Sequence, residues 1–386
     1  MRKFALRYRG TTRHRDIFLS KYIPTTMENE TIKIGITHGD INGVGYEVIL
    51  KMLDDNRILE LCTPIIYGSA KIASFYRKGL GLQQQQLNQI TDPSEARAGV
   101  VNIINVVGED CKVEPGQSTK EAGSAAFAAL ERAVADVRND NLDAIVTAPI
   151  NKDNIQSELF TFPGHTEYLE ASTDGKALMI LFNRDIRVAL VTTHLPISKI
   201  AENITAERIV EKLKIFKDTL RSDFAIVHPR IAVLALNPHA GENGLLGSEE
   251  QDTIIPAIKE AKEQGVECYG PYAADGFFGS GLFKHFDGIL AMYHDQGLAP
   301  FKTMAMESGV NFTAGLPIVR TSPDHGTGYD IAGQGKASEQ SMREALYAAI
   351  DIARNRARHK EMTANPLRRQ YFDKSKDNVV LDLTKE

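Results

Sequence analysis

The chain has 386 residues, a formal net charge of −5, 42% hydrophobic residues and 25% charged residues. Nucleic-acid-binding domains are usually basic overall and a membrane span needs about 20 consecutive apolar residues, so neither class fits this sequence. Cys62, Cys111 and Cys268 lie far apart without a C-x-x-C spacing. This pattern indicates a reducing, cytoplasmic setting and no cysteine-based zinc site. The length predicts two domains, at about 100–200 residues per domain.

The N-terminal segment differs in composition from the rest of the chain. Residues 1–22 carry seven Lys or Arg and one acidic residue, without a long apolar core. Such a segment is compatible with a transit peptide. We favour a basic, disordered extension ahead of a start at Met27, and residues 1–30 are left out of the fold prediction.

From Thr31 onward, short apolar strands alternate with amphipathic helices. Strands are predicted in TIKIGIT, CTPIIYG, VVNIINVV, DAIVTAPI, RIAVLALN and GILAMYH, and helices follow them, from GVGYEVILKML to a last helix in ASEQSMREALYAAIDIARNRARHK. ALMILFN and IRVALVTT predict a hairpin, and Ser118-x-x-Glu121 a capping box. Alternating strands and helices are typical of an α/β protein with largely parallel sheets. No flexible linker is evident, so the two domains are expected to be interleaved.

Histidines follow three of the predicted strands. His194, His239 and His294 each lie within a few residues of a strand end. A single histidine there is usually a hydrogen-bonded structural residue. Three in equivalent positions predict a catalytic metal site, because parallel strands bring their carboxyl ends together and imidazole suits Zn, Co, Mn or Fe. Asp295 is then a hydrogen-bond partner of a ligating histidine, a further ligand or only a strand-end cap.

Other residues suggest an anion site. His165 and Thr166 lie at a predicted helix start, where Thr166 could be a simple N-cap or part of a site for a phosphate. Lys302, Asn311 and Arg320 follow in a segment with little regular pattern, where cations are commonly solvated but could clamp a phosphate or carboxylate. Two glycine-rich segments, at Gly39–Gly45 and Asp324–Ala337, could approach a phosphate or form tight turns.

Taken together, these motifs resemble one enzyme family. GDINGVGYE, TAPINK, GHTEYL, TTHLPI, LNPHAGENG, MYHDQGLAPFK, LPIVRTSPDHGT and YDIAG occur in the order found in 4-hydroxythreonine-4-phosphate dehydrogenases, over residues 31–360. The resemblance implies two interleaved α/β/α domains with an active-site cleft between them, as in isocitrate and isopropylmalate dehydrogenases. We assign residues 31–155 with 315–386 to the first domain and residues 156–314 to the second, with the metal site and a dimer interface.

The resemblance also implies a reaction and a set of site residues. The family oxidises 4-(phosphooxy)-L-threonine with NAD, and the product loses CO₂ to give 3-amino-2-oxopropyl phosphate for pyridoxal phosphate synthesis. NADP is an alternative, and the divalent metal is expected to be Zn, with Mg, Co or Mn possible. The active sites would be shared in a homodimer, His194 coming from the partner subunit. The matched residues are His194, His239 and His294 for the metal, His165, Thr166, Lys302, Asn311 and Arg320 for the substrate, and Asp324, Thr327 and Asp330 for the cofactor.

Some points stay open at this level. Ile41, Tyr46 and Gly276 depart from the family pattern, which affects the cofactor loop and the pocket near Asp275. Asp275, Asp295 and Lys302 are candidates for the general base, and we favour Lys302. No residue is dedicated to the substrate amine, so a D-threonate or D-erythronate 4-phosphate dehydrogenase is the first alternative. A non-catalytic protein that binds phosphorylated ligands is the second.

Overall fold

The computed structural model describes residues 31–108 and 110–366. The predicted basic extension, residues 1–30, lies outside the described residues. From Ile32 onward, the described residues form one compact unit. The division of this unit into two interleaved domains stays a prediction.

The described strands form a single twelve-stranded sheet. Its spatial order is β3-β4-β2-β1-β5-β12-β11-β6-β7-β10-β8-β9. The strands are β1 (Lys33–Thr37), β2 (Thr63–Gly68), β3 (Leu87–Ile90), β4 (Val101–Asn105), β5 (Ala144–Thr147), β6 (Leu178–Phe182), β7 (Arg187–Leu190), β8 (Ile231–Leu234), β9 (Cys268–Tyr272), β10 (Gly288–Ala291), β11 (Val310–Ala314) and β12 (Arg320–Pro323).

Most neighbouring strands are parallel, as the alternation of strands and helices predicts. The antiparallel pairs are β6 with β7, β6 with β11, and β11 with β12. The first of these confirms the predicted hairpin. Strands β7, β10 and β8, which precede the three candidate metal histidines, are adjacent and parallel. Their carboxyl ends therefore lie at one edge of the sheet.

Helices cover the sheet and supply the rest of the core. They are α1 (Gly45–Leu53), α2 (Ile58–Leu61), α3 (Ala70–Gly79), α4 (Lys120–Arg138), α5 (His165–Ser172), α6 (Ile200–Asn203), α7 (Ala206–Ser222), α8 (Ile255–Glu263), α9 (Ala274–Gly279), α10 (His294–Ala305) and α11 (Gln340–Ala364). None of these described helices combines the length and the apolar surface that crossing a bilayer requires. Strands β2, β5 and β6 are buried along their whole length, which explains their nearly continuous apolar sequences.

Three local predictions were wrong. Thr119, rather than Ser118, caps α4, because its side chain accepts a hydrogen bond from the backbone N–H of Ala122. Thr166 is not an N-cap, since α5 begins at His165 and Gly164 precedes it. Lys302 lies in α10, not in an irregular segment. Gly297 and Pro300 lie inside that helix and conceal its periodicity in the sequence.

Candidate functional site

A cavity of about 280 Å³ contains all five predicted substrate residues. Its wall is formed by the ends of β5, β6, β11 and β12, the first turn of α5, and one side of α10. His194 and Asp324 also line it, so candidate metal and cofactor residues meet the substrate residues there. The predicted residues that share this wall are His165, Thr166, His194, Lys302, Asn311, Arg320 and Asp324.

Arg320, the first residue of β12, is a buried cation that is held by hydroxyl groups. Its Nε and Nη2 donate to Oγ1 of Thr147 at 2.9 and 2.7 Å, and its Nη1 donates to Oγ1 of Thr313 at 3.1 Å. The residue is only 3% exposed, and burial lowers the pKa of its guanidinium to about 9. No carboxylate of the described residues forms an ion pair with it. The charge of Glu167 offsets part of this positive charge without forming an ion pair, so Arg320 presents an unpaired cation to the cavity, which suits an anionic ligand.

The first turn of α5 adds further polar groups. Burial holds the pKa of His165 well below its usual range, and the positive charges of Arg320 and Lys152 lower it further. The imidazole is therefore neutral at pH 7. Its Nε2 is closed off from solvent and has no hydrogen-bond partner among the described residues. An unpaired ring nitrogen beside a helix N-terminus is available to a ligand oxygen.

Lys302 forms an ion pair inside the cavity. Its Nζ lies 3.1 Å from Oδ1 of Asp324, a carboxylate whose side chain is 10% exposed. Burial raises the pKa of Asp324, and the charge of Lys302 opposes this change. Asp324 was predicted to bind the cofactor, but in the structure its carboxylate contacts the lysine that was predicted to bind the substrate. Asp275, another candidate base, lines a different cavity.

Two of the three predicted metal ligands come together in the single chain. The rings of His194 and His294 lie 5.8 Å apart between centroids. Nδ1 of His194 lies 3.3 Å from Oε1 of Glu167, and Nδ1 of His294 lies 2.6 Å from Oδ1 of Asp295. Each carboxylate thus occupies one ring nitrogen and leaves Nε2 for another partner, as in the carboxylate–histidine pairs of metal sites.

His239 does not join this pair. It lines a separate cavity of about 510 Å³ with Asp275, Tyr293 and Gln296. Within residues 31–108 and 110–366, no three His, Cys, Asp or Glu side chains are placed to hold a metal ion. Strand ends alone predict that three histidines meet in one chain, and this is not observed. The pair that does meet includes His194, which the family resemblance assigns to the partner subunit.

The backbone around His239 is unusual. The turn Pro238–Gly244 has six consecutive residues with positive φ, from His239 (52°) to Gly244 (97°). Left-handed backbone costs energy in every residue except glycine. Glu250, which is 1% exposed, holds the preceding segment, because its carboxylate accepts hydrogen bonds from the backbone N–H groups of Leu236 and Asn237 at 2.8 and 2.7 Å. It also accepts one from Nδ2 of Asn237 at 3.0 Å.

The glycine-rich segment 324–337 packs against α1 and the loop before it. The backbone N–H of Val44 donates to the carbonyl of Thr327 at 2.9 Å. Glu47, buried in α1, accepts hydrogen bonds from the backbone N–H groups of Gly333 and Gly335. Asp330 is exposed, and its carbonyl accepts from Gln334 at 2.8 Å. Thr327 is thus placed by its backbone, and the two predicted cofactor residues Thr327 and Asp330 lie in a segment anchored on the first helix.

Lys152, Glu167 and His325 also line the cavity, although the sequence did not single them out as site residues. Lys152 follows β5 in TAPINK, and Glu167 follows Thr166 in GHTE. Both belong to motifs that carry the family resemblance, and this was the available signal. His325 follows Asp324, and its Nε2 is buried without a hydrogen-bond partner among the described residues.

Comparisons with known proteins agree with the family resemblance of the sequence motifs. The family described as "Pyridoxal phosphate biosynthetic protein PdxA" matches residues 60–349. A 4-hydroxythreonine-4-phosphate dehydrogenase of Bacteroides thetaiotaomicron is 60% identical over 92% of this chain and 98% of that protein. A D-threonate 4-phosphate dehydrogenase of Cupriavidus necator is 39% identical over 88% of this chain and 100% of that protein. The crystal structure of a 4-hydroxythreonine-4-phosphate dehydrogenase from Burkholderia phymatum superposes with a TM-score of 0.71, at 39% identity, over 84% of this chain and 99% of that one.

Proposed function

We propose that this chain, which belongs to the PdxA family of pyridoxal phosphate biosynthetic proteins, is a 4-hydroxythreonine-4-phosphate dehydrogenase. It oxidises the secondary hydroxyl of 4-(phosphooxy)-L-threonine with NAD, or alternatively NADP, and CO₂ leaves the product. The observation that carries this proposal is the cavity in which four matched substrate residues surround the fifth, Arg320, a buried cation without an ion-pair partner among the described residues. A doubly anionic phosphorylated acid supplies the charge that this cavity lacks.

Different residues of the cavity bind the substrate and take part in the reaction. Arg320 and the first turn of α5 bind and orient an anionic group of the substrate. Lys302 is the proton acceptor that we favour, because it lines the same cavity and Asp324 fixes its position. It accepts the hydroxyl proton as the neutral amine, after its own proton has passed to Asp324, whose pKa is raised by burial. Binding energy from the phosphate, remote from the reacting carbon, orients the hydroxyl for oxidation.

A divalent metal, with Zn the first expectation, fits the pair His194 and His294, whose free Nε2 atoms suit it. Because the described residues bring only this pair together, we propose that a third ligand comes from a second copy, with His239 as the candidate. When bound, the metal supplies Lewis-acid polarisation of the reacting oxygen. NAD, which accepts the hydride, is proposed to lie along the segment 324–337.

We also propose that the protein forms a homodimer, because the metal site takes a ligand from a second copy. Leu195 and Ile197, which follow His194, are 39% and 84% exposed. Leu245 and Leu246, at the end of the turn that carries His239, are 80% and 44% exposed. Exposed apolar residues beside incomplete metal ligands favour an interface with a second copy. A cytoplasmic location agrees with the free thiols of the described cysteines.

D-Threonate 4-phosphate is the second candidate substrate, and one observation favours it. An ammonium group on the substrate would be expected to meet a carboxylate that is dedicated to it. Both acidic side chains of the described cavity wall already have a partner through one oxygen, since Asp324 pairs with Lys302 and Glu167 pairs with His194. Only their second oxygens, Oδ2 of Asp324 and Oε2 of Glu167, lack a partner among the described residues. Neither carboxylate is therefore dedicated to an amine, and a substrate without nitrogen fits this arrangement.

NADH formation with each phosphorylated acid, with and without a chelator, tests the proposal. Turnover of 4-(phosphooxy)-L-threonine that is lost with chelator and restored by Zn²⁺ supports it. Turnover only of the acid without nitrogen would assign the second candidate. Binding of both compounds without NADH formation would instead support a non-catalytic binding protein.

A further inference from the structure

The charged groups of the substrate cavity form two clusters. Lys302 pairs with Asp324, whose pKa also responds to the charges of His325 and His294. The second cluster lies around the first turn of α5. Here the positive charges of Arg320 and Lys152 both lower the pKa of His165. Glu167 acts on both of these cations and offsets part of their charge. The cavity therefore has one cluster in which a lysine forms an ion pair with a carboxylate and another in which two cations share one acidic side chain.

We propose that Lys152 is a further substrate-binding residue, which joins Arg320 and the first turn of α5 in holding the phosphate of the substrate. This assignment rests on the proposed function for the identity of the substrate. It adds a cation to the set that the family motifs identify. It also separates the lysine that binds the phosphate, Lys152, from the lysine at the reacting carbon, Lys302.

The position of Lys152 supports this assignment. Its side chain lines the cavity, and its Cε lies 4.0 Å from the point where a Cβ on Gly164 would be. Gly164 immediately precedes α5, so the lysine side chain runs along the N-terminus of that helix. Within the described residues, Lys152 forms no side-chain hydrogen bond or ion pair at all. Its ammonium group is thus available to a ligand.

The backbone that carries Lys152 is fixed. Oδ1 of Asn151 accepts hydrogen bonds from the backbone N–H groups of Asp153 and Asn154, at 2.9 and 3.1 Å. Asn154 is buried and donates to Oδ2 of Asp40 at 2.8 Å. A residue between such anchors loses less conformational freedom on binding than one in a mobile loop, which increases its contribution to affinity.

The balance of charge also points to a phosphate. Around the first turn of α5, Arg320 and Lys152 are two positive charges, and the helix N-terminus adds a partial one. Glu167 is the acidic side chain of this cluster; it contacts His194 at 3.3 Å and offsets part of the charge of Arg320 and Lys152, so the cluster keeps a net positive charge. His165 is neutral and its Nε2 lacks a partner. A dianion that accepts several hydrogen bonds fits this set better than a carboxylate does.

The test compares Lys152→Met with Lys152→Arg, and with Lys259→Met as the matched control. Lys259 is an exposed lysine in α8 that does not line the cavity. Steady-state NADH formation gives kcat and KM, and calorimetry gives the Kd for inorganic phosphate. We expect Lys152→Met to raise both KM and this Kd about tenfold, as for one lost charge-assisted hydrogen bond, and to change kcat less than about twofold. Lys152→Arg should recover most of the loss, and Lys259→Met should match the wild type.

Two outcomes would overturn the inference: KM and phosphate Kd of Lys152→Met equal to the wild type, or a fall in kcat at unchanged KM. The failure of the proposed function would look different, because the wild type would then form no NADH with either phosphorylated acid. Even in that case, the phosphate Kd of the wild type and of Lys152→Met decides whether Lys152 binds the anion. Thermal unfolding of each variant verifies that it is folded.

Discussion

The substitution Arg320→Met should weaken ligand binding at this site while leaving the stability of the protein nearly unchanged. The lowering of the Arg320 pKa to about 9 corresponds to a penalty of roughly 5 kcal/mol for keeping the buried guanidinium charged in the empty cavity. Its three hydrogen bonds to the hydroxyls of Thr147 and Thr313 offset this penalty at about 1.5–3 kcal/mol each. These contributions nearly cancel. We therefore expect the variant to unfold within a few degrees of the wild type.

Ligand binding should respond quite differently to the same substitution. Loss of two charge-assisted hydrogen bonds to an anion should weaken binding of inorganic phosphate by about 100-fold. At a phosphate concentration of about 100 times the wild-type Kd, the wild type gains about 2.7 kcal/mol of stability and the variant only about 0.4 kcal/mol. Thermal unfolding with and without phosphate measures this difference.

The control is Arg221→Met, at an exposed arginine of α7 that does not line the cavity. It should keep the full increase in Tm on addition of phosphate. An equal increase in Tm for Arg320→Met would refute the assignment of Arg320 as the anion-binding cation. A ligand-free Tm lowered by more than about 10 °C would refute the reasoning that the burial penalty and the hydrogen bonds nearly cancel.

Three further predictions follow from other buried groups. Asp324→Asn should lower kcat about tenfold and change KM less than about threefold, because Lys302 loses its ion-pair partner. Steady-state kinetics measure both constants, and a raised KM at unchanged kcat would contradict this prediction. Glu250→Ala should lower the free energy of unfolding by about 2 kcal/mol, since the half-buried backbone N–H groups of Leu236 and Asn237 lose their acceptor while Nδ2 of Asn237 keeps Glu249. A loss below about 1 kcal/mol in urea unfolding would count against this role. Burial lowers the pKa of His38 from 6.5 to about 4, so the unfolded state binds more protons between these pH values. Stability should therefore fall by roughly 3 kcal/mol as the pH drops from 6.5 to 4, and His38→Phe should weaken that dependence; an unchanged pH profile in the variant would exclude His38 as its source.

The fold class and the family could be predicted from the sequence because both depend on local patterns. Apolar runs predicted the strands β1, β2, β4, β5, β8 and β10, and family motifs lie at the ends of β1, β5, β8 and β10. The predicted family and fold class are confirmed by the matching family and by the superposed crystal structure. The prediction that Lys302 lies in an irregular segment was wrong, because Gly297 and Pro300 interrupt the helical pattern of the sequence without ending α10.

The pairing of side chains was decided only by the tertiary structure. Lys302 pairs with Asp324, and His194 with Glu167, across more than 20 residues of chain, and no periodicity relates such positions. The position of Lys152 beside the start of α5 depends on how the loop after β5 packs, which its own composition does not reveal. Strand ends predicted correctly that the histidines follow adjacent parallel strands, whereas the left-handed turn at His239 directs that residue into a separate cavity. Residue types and their order thus determine which chemistry is available, and packing determines which of these groups meet, because contact energies depend on distances that only the folded chain defines.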